Sequence, residues 1–279
     1  MTTFEETLDR FRLTAAGSPE GVPMARLALL AAQAEYPDID IPSYERRLLN
    51  LSQQLEARIH PAADTRTQLA EARKLLFEEC AFRGNSDEYS EPRNLYLNDV
   101  IDRQQGIPAS LAIIYVTVCQ RAGIHARPVG LPGHVIIRVE SPEGPVFIDP
   151  FEAGQELTED DCKKLVRNVY GRRTPFREHF LDAITARQLV QRVLHNLKAG
   201  FLQRADEERA GRTMELLLAM YPWDLDEVRD RGMLRERIGD YAGALDDLEA
   251  YLKYRVGAKD TQTVNETVRS LHRQIGAER

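Results

Sequence analysis

Residues 83–124 read RGNSDEYSEPRNLYLNDVIDRQQGIPASLAIIYVTVCQRAGI, and this stretch decides the fold. Its first ten positions, 83–92, are polar and rich in turn formers, which predicts a surface loop or a lid. Residues 94–103 read as a helix. Gly106-Ile107-Pro108 then breaks the chain, and Pro108 suits the first position of a new helix, where a backbone N–H is not needed. That helix carries Ile113, Ile114, Val116, Val118 and Cys119, apolar nearly all round, so it should lie buried at the centre and end at Gly123. Downstream the period changes. Residues 126–131, 135–140 and 145–149 read as strands, with Ser141-Pro142-Glu143-Gly144 as the turn between the last two.

Upstream of this stretch the pattern is helix after helix. An apolar run over 22–36 is punctuated by Pro37, and Ile41-Pro42-Ser43 opens a second helix through Leu48, Leu49 and Leu55. His60-Pro61 stops it, and Asp64 or Thr65 can cap a third carrying Leu69, Leu75, Leu76 and Phe77. Spacings of three and four put these residues on one face. Beyond Pro150, Thr158 begins a short helix with Asp161 as a capping-box partner. Arg172-Arg173-Thr174-Pro175 reads as a linker, and its arginine pair, like Arg46-Arg47, as solvated charge.

From about residue 181 the chain reads as helical only, and it repeats. Ala205-Asp206 recurs as Gly239-Asp240, Ala210 as Ala244 and Met214 as Leu248, each thirty-four residues on. Small residues in Gly239-Asp240-Tyr241-Ala242-Gly243-Ala244-Leu245 suit a helix that approaches its mate closely. A period of thirty-four with this pattern is the signature of tetratricopeptide hairpins; an unrelated helical bundle is the other reading.

Three segments could carry chemistry together: residues 106–111, Leu131-Pro132-Gly133-His134, and Ile148-Asp149-Pro150-Phe151. If 141–144 form a turn, Ile136 lies opposite Asp149, and His134 becomes its diagonal neighbour on the same face. Side chains of this length touch across such a diagonal. A carboxylate on an imidazole fixes its tautomer and stabilises the imidazolium. Taken singly, His134 also reads as a strand histidine bonded to backbone, and Asp149 before Pro as a turn initiator.

The stretch 83–124, followed by LPGH and IDPF, is similar to the bacterial SirB-one family, specifically over 82–154 and more broadly from about residue 40 to the C-terminus. That family joins a transglutaminase-like core of the papain-type fold to C-terminal tetratricopeptide repeats. The resemblance implies His134 and Asp149 as the second and third members of an ancestral triad. Matching the helix by its closing Gly123-Ile124 puts Pro108 at the cysteine position, and matching by the loop suggests Ser110; neither is cysteine. A cysteine at a helix start beside histidine stands ready as thiolate. A serine hydroxyl needs His134 as general base and an oxyanion hole. Ser110 also reads as an early-helix residue bonding free backbone N–H groups.

The other cysteines do not fill the gap. Cys119 lies nine residues, about 13 Å, along the helix from Ser110. Cys80 precedes the loop and reaches the site only if its helix end packs there. His60, His125, His179, His195 and His272 show no ligand spacing, so no metal is expected, and no Walker or dinucleotide glycine motif occurs.

The bulk numbers bound the rest. With 279 residues, 43% hydrophobic, the chain can bury roughly two domains' worth of core. A net charge of −7 argues against nucleic acid and anionic lipid as partners. Three scattered cysteines and an acidic start, MTTFEETLDR, fit a cytoplasmic protein without a signal peptide. The expectation is an α+β protein: a helical N-terminal region (1–82), a transglutaminase-like core with a small antiparallel sheet (83–180), and all-α tetratricopeptide-type hairpins (181–279). The preferred function is non-catalytic: a regulatory or protein- and peptide-binding scaffold, its partner taken by the repeats, with no cofactor. The alternative is a hydrolase or acyltransferase in which Ser110 attacks an amide or ester, His134 is the base and Asp149 orients it, or a displaced thiol, Cys80, substitutes.

Overall fold

A computed structural model describes residues 2–17, 22–171, 175–255 and 257–277. The linker residues Arg172, Arg173 and Thr174 lie outside them. The chain divides into two compact units, Met1–Asn196 and Leu197–Arg279. The class is α+β, and no helix among the described residues is long and apolar enough to cross a membrane.

The first unit opens with helix α1 (Phe4–Ala15), held by a reciprocal cap in which Thr3 bonds the Glu6 N–H and Glu6 reaches back to Thr3. In α2 (Met24–Gln33) Leu27, Leu29 and Leu30 are all buried, as its continuous apolar pattern requires. Helix α3 (Ile41–Arg58) is capped by Asp40, and α4 (Thr65–Arg73) by Asp64, whose carboxylate accepts the Thr67 N–H at 2.7 Å. A π-helical turn, Lys74–Glu79, continues α4.

Strand β1 (Arg83–Gly84) pairs in parallel with β2 (Gln105–Gly106), closing the base of the loop between them. That loop is not loose. Asn85 and Asn94 join through their amides at 3.1 Å, Asn94 donates to the Glu88 carbonyl at 2.7 Å, and Asn85 accepts the Glu88 N–H. Helix α5 (Leu97–Arg103) follows, then α6 (Pro108–Arg121) with Pro108 at its first position. Residues 108–119 of α6 are all buried, so the apolar surround seen in the sequence does mark the central helix. It packs on α3 and against the sheet at β3 (Ala126–Val129) and β4 (Ile136–Val139).

The sheet is antiparallel in the order β3-β4-β5-β6, where β5 is Val146–Asp149 and β6 is Gln155–Leu157. Ile137 faces Ile148 and Val139 faces Val146, so paired numbers sum to 285 and the register is the expected one. Strand β3 stops two residues short of its expected end, because Pro132-Gly133 turns the chain with Gly133 at φ +77°. Helix α7 (Glu159–Tyr170) has the Thr158–Asp161 capping box, and its Cys162 and Val166 close an apolar cluster with Val129, Leu131, Ile136 and Phe147. Helix α8 (Ala186–Gln203) runs across the division between the units.

The second unit contains α9 (Glu207–Met220), α10 (Leu225–Arg237), α11 (Tyr241–Tyr254) and α12 (Thr261–Ala277). The thirty-four-residue period is physical here. Asp206 and Asp240 each cap a helix, Ala210 and Ala244 are both fully enclosed, and Ala205 and Gly239 both adopt the left-handed backbone at φ +55° and +85°. Gly232 of α10 meets α11 so closely that a Cβ would stand 2.8 Å from Leu248. Beside it, Asp247 bonds Arg231 at 2.7 Å and Arg235 at 2.9 Å, and Glu215 of α9 bonds both arginines, tying three helices together.

Candidate functional site

The four-residue strands β4 and β5, joined by a turn with Gly144 at φ +118°, fix what lies at their far ends. The register sets Asp149 opposite Ile136, and the turn 131–134 returns His134 toward it; the His134 N–H donates to the Leu131 carbonyl at 3.1 Å. His134 Nε2 lies 2.9 Å from Asp149 Oδ2, and the other carboxylate oxygen accepts the Phe151 N–H at 2.9 Å. Asp149 is 1% exposed, so both its oxygens are committed inside the protein. A carboxylate only accepts, so Nε2 is the ring nitrogen that donates to Asp149, and the other ring nitrogen, Nδ1, is not part of this contact.

Aromatic residues surround the pair. Phe151 meets the imidazole edge to face at 6.4 Å between centroids, and Tyr89 meets Phe151 at 5.9 Å. Burial pushes the Tyr89 phenol upward from its usual range. Gly84 is a glycine because the Phe151 ring sits 2.6 Å from where a Cβ would be. The loop over 83–92 therefore bears on the site through Gly84 and Tyr89. An aromatic directly after Asp-Pro is the one sequence signal for this packing at Phe151, whereas Gly84 and Tyr89 sit in a polar loop with nothing to mark them.

Ser110 is elsewhere in its bonding. Its Oγ is fully enclosed, donates to the Asn94 carbonyl at 2.6 Å, lies 3.1 Å from the Ile107 carbonyl, and accepts the Ile107 N–H at 3.1 Å. It thus ties the start of α6 to the loop, which is the early-helix reading. Among the described residues no hydrogen bond joins Ser110 to His134. Pro108, buried at the first helical position, offers no nucleophile.

The thiols are poorly suited to replace it. Burial, with help from Glu79, raises the Cys80 thiol above its ordinary value, and the charged neighbours it senses are Glu79 and Arg58. Burial pushes Cys162 up to about 11 and raises Cys119 too. An activated cysteine needs the opposite shift. The arrangement is an imidazole held by a buried carboxylate, while the polar groups at the start of α6 bond one another and Asn94.

Residues 42–195 match the family model described as "Transglutaminase-like superfamily". The chain belongs to that superfamily. In this transglutaminase-like protein, residues 197–275 match a tetratricopeptide repeat model, which fits the hairpins of the second unit. It is 32% identical over 237 residues to a UPF0162 protein of Xylella fastidiosa, covering 84% of each chain. It is 28% identical over 231 residues to the UPF0162 protein YchA of Escherichia coli, covering 81% of this chain and 83% of that one. A shorter match, 29% identical over 163 residues, joins it to F-box only protein 21 of Mus musculus and covers 53% of this chain but 24% of the mouse protein. The transglutaminase-like core and the repeats together make the family architecture expected from residues 83–154 and from the thirty-four-residue period.

Proposed function

We propose that this transglutaminase-like protein is a non-catalytic scaffold that binds a protein or peptide through its tetratricopeptide repeats. The observation that carries the reading is the Ser110 hydroxyl, enclosed and bonded to the backbone of Asn94 and Ile107 rather than to His134. A base without a nucleophile in reach performs no acyl transfer. The His134–Asp149 pair then has a structural role, fastening the turn 131–134 to the end of β5. Stacked helical hairpins offer an extended surface suited to a peptide or a helix, which supports the binding half of the reading. Three free cysteines support a reducing setting, and we propose the cytoplasm.

Two measurements on the full chain test this. Incubation with fluorophosphonate and iodoacetamide, read by intact mass, should give no adduct that disappears in Ser110→Ala or Cys80→Ala. An adduct on either residue that also requires His134 would restore the enzyme reading, with a Ser110-His134-Asp149 triad or a Cys80 thiol acting on an ester or amide. Crosslinking followed by mass spectrometry should join captured proteins to residues 197–275, for example at Lys253 or Lys259. Crosslinks confined to residues 1–196 would contradict a repeat-borne binding surface.

A further inference from the structure

A second site lies in the first unit, away from His134 and Asp149 and sharing no residue with them. It is a pocket of about 590 Å³ between the start of α2, the last turns of α6, the edge strand β3 and the segment leading into α8. That size falls in the ordinary range for small-molecule sites. Three guanidinium groups line it, from Arg26, Arg121 and Arg127, against a single carboxylate, Glu45. Glu45 is bonded to Arg26 at 3.0 Å. Arg121 and Arg127 form no ion pair or side-chain hydrogen bond with any other described residue. In a chain of net charge −7, a wall with two uncompensated positive charges runs against the overall balance.

The pocket wall also presents a hydroxyl. Thr117, on the face of α6 that lines it, is 8% exposed, and its hydroxyl bonds no described residue. Thr213 in the second unit bonds the Arg209 carbonyl four residues back at 2.7 Å; the Thr117 hydroxyl makes no such bond and stays open to the pocket it lines. The start of α2 adds to the same field. Pro23 supplies no side-chain cap, the first turn has no acidic residue, and Met24 and Ala25 line the pocket. An uncapped helix start favours an anion. Val116, Pro128 and Ile184 give the wall an apolar stretch, beside the polar side chains of Gln120 and Thr185.

We propose that this pocket binds a small phosphorylated molecule, its phosphate held by Arg121 and Arg127 and its apolar body seated against Val116 and Ile184. Two unpaired guanidinium groups match a phosphate monoester, which carries nearly two charges and three acceptor oxygens, better than a carboxylate with one charge and two oxygens. Thr117 donates its hydroxyl to the same ligand.

Calorimetric titration of the full chain with phenyl phosphate, inorganic phosphate and benzoate tests the proposal. Phenyl phosphate should bind saturably, and inorganic phosphate and benzoate each on the order of tenfold more weakly. The variant Arg121→Ala/Arg127→Ala should lose on the order of tenfold or more in phenyl phosphate affinity, and Thr117→Val a smaller factor. Arg46→Ala, which changes an exposed arginine outside the pocket, should bind as the wild type does. Because Arg121 and Arg127 are exposed, their replacement should leave the melting temperature and far-ultraviolet dichroism unchanged. No saturable binding of phenyl phosphate, or equal binding by the double variant, would overturn the site. Equal affinity for benzoate would overturn the phosphate assignment, and equal affinity for inorganic phosphate would overturn the role of the apolar wall.

Discussion

His134→Ala is expected to destabilise the first unit by about 2–3 kcal/mol, the cost of leaving a buried carboxylate oxygen without its hydrogen-bond partner. The residue is small in the sequence and its pair is a single contact, yet the carboxylate it leaves behind is 1% exposed and keeps only the Phe151 N–H. The imidazole also supports Phe151, so its loss opens space beneath that ring. The distinguishing result lies in the second change. Adding Asp149→Asn to His134→Ala should recover a substantial part of the loss, because an amide carries no charge to desolvate and still accepts from Phe151. Equilibrium denaturation of the wild type, both single variants and the double variant reads the coupling. Additive losses would mean that the two groups are not engaged with each other.

Asp247→Ala should cost about 3 kcal/mol, and the damage should stay within the second unit. Asp247 is 5% exposed and satisfies two arginines of α10, each only about a quarter exposed or less. Glu215 still pairs with both, which limits the loss but leaves Arg231 and Arg235 short of charge-assisted bonds across to α11. Hydrogen exchange locates the effect. Amides of α10 and α11 should lose protection while those of β4 and β5 do not. Unchanged exchange in α10 and α11 would show that close packing at Gly232 and Leu248, rather than the ion network, holds this hairpin.

The parts of the fold that were legible before the coordinates share a cause: one physical requirement dominated each. Residues 108–119 are apolar on every side, and only a central helix buries every side. The pairing of β4 with β5 followed from a tight turn, because a period of two leaves no freedom once the turn is placed. The thirty-four-residue period was visible because close helix approach tolerates only small residues at Ala210 and Ala244.

What escaped notice was weakly encoded or encoded at a distance. Strand β6, Gln155–Leu157, is short, largely exposed and polar, so it has no alternating pattern to find. The two-residue strands β1 and β2 are too short to carry a pattern, and pair through backbone bonds from Arg83 to Gln104 and from Asn85 to Gly106. Helix α1 did carry a readable Thr3-Glu6 capping box. At the site, the His134–Asp149 contact was reachable by counting along the hairpin. For Ser110 the bond from the Ile107 N–H was legible as an early-helix contact, but the Asn94 carbonyl was not, being sixteen residues away in a short 3-10 turn.

The central claim, that His134 is engaged by Asp149 and not by Ser110, is tested most directly by nitrogen-15 spectroscopy of the His134 ring in the full chain. Nε2 should carry the proton shared with Asp149, and the Nδ1 resonance should not move when Ser110 is changed to Ala. An Nδ1 signal that bears a hydrogen bond in the wild type and loses it in Ser110→Ala would contradict it.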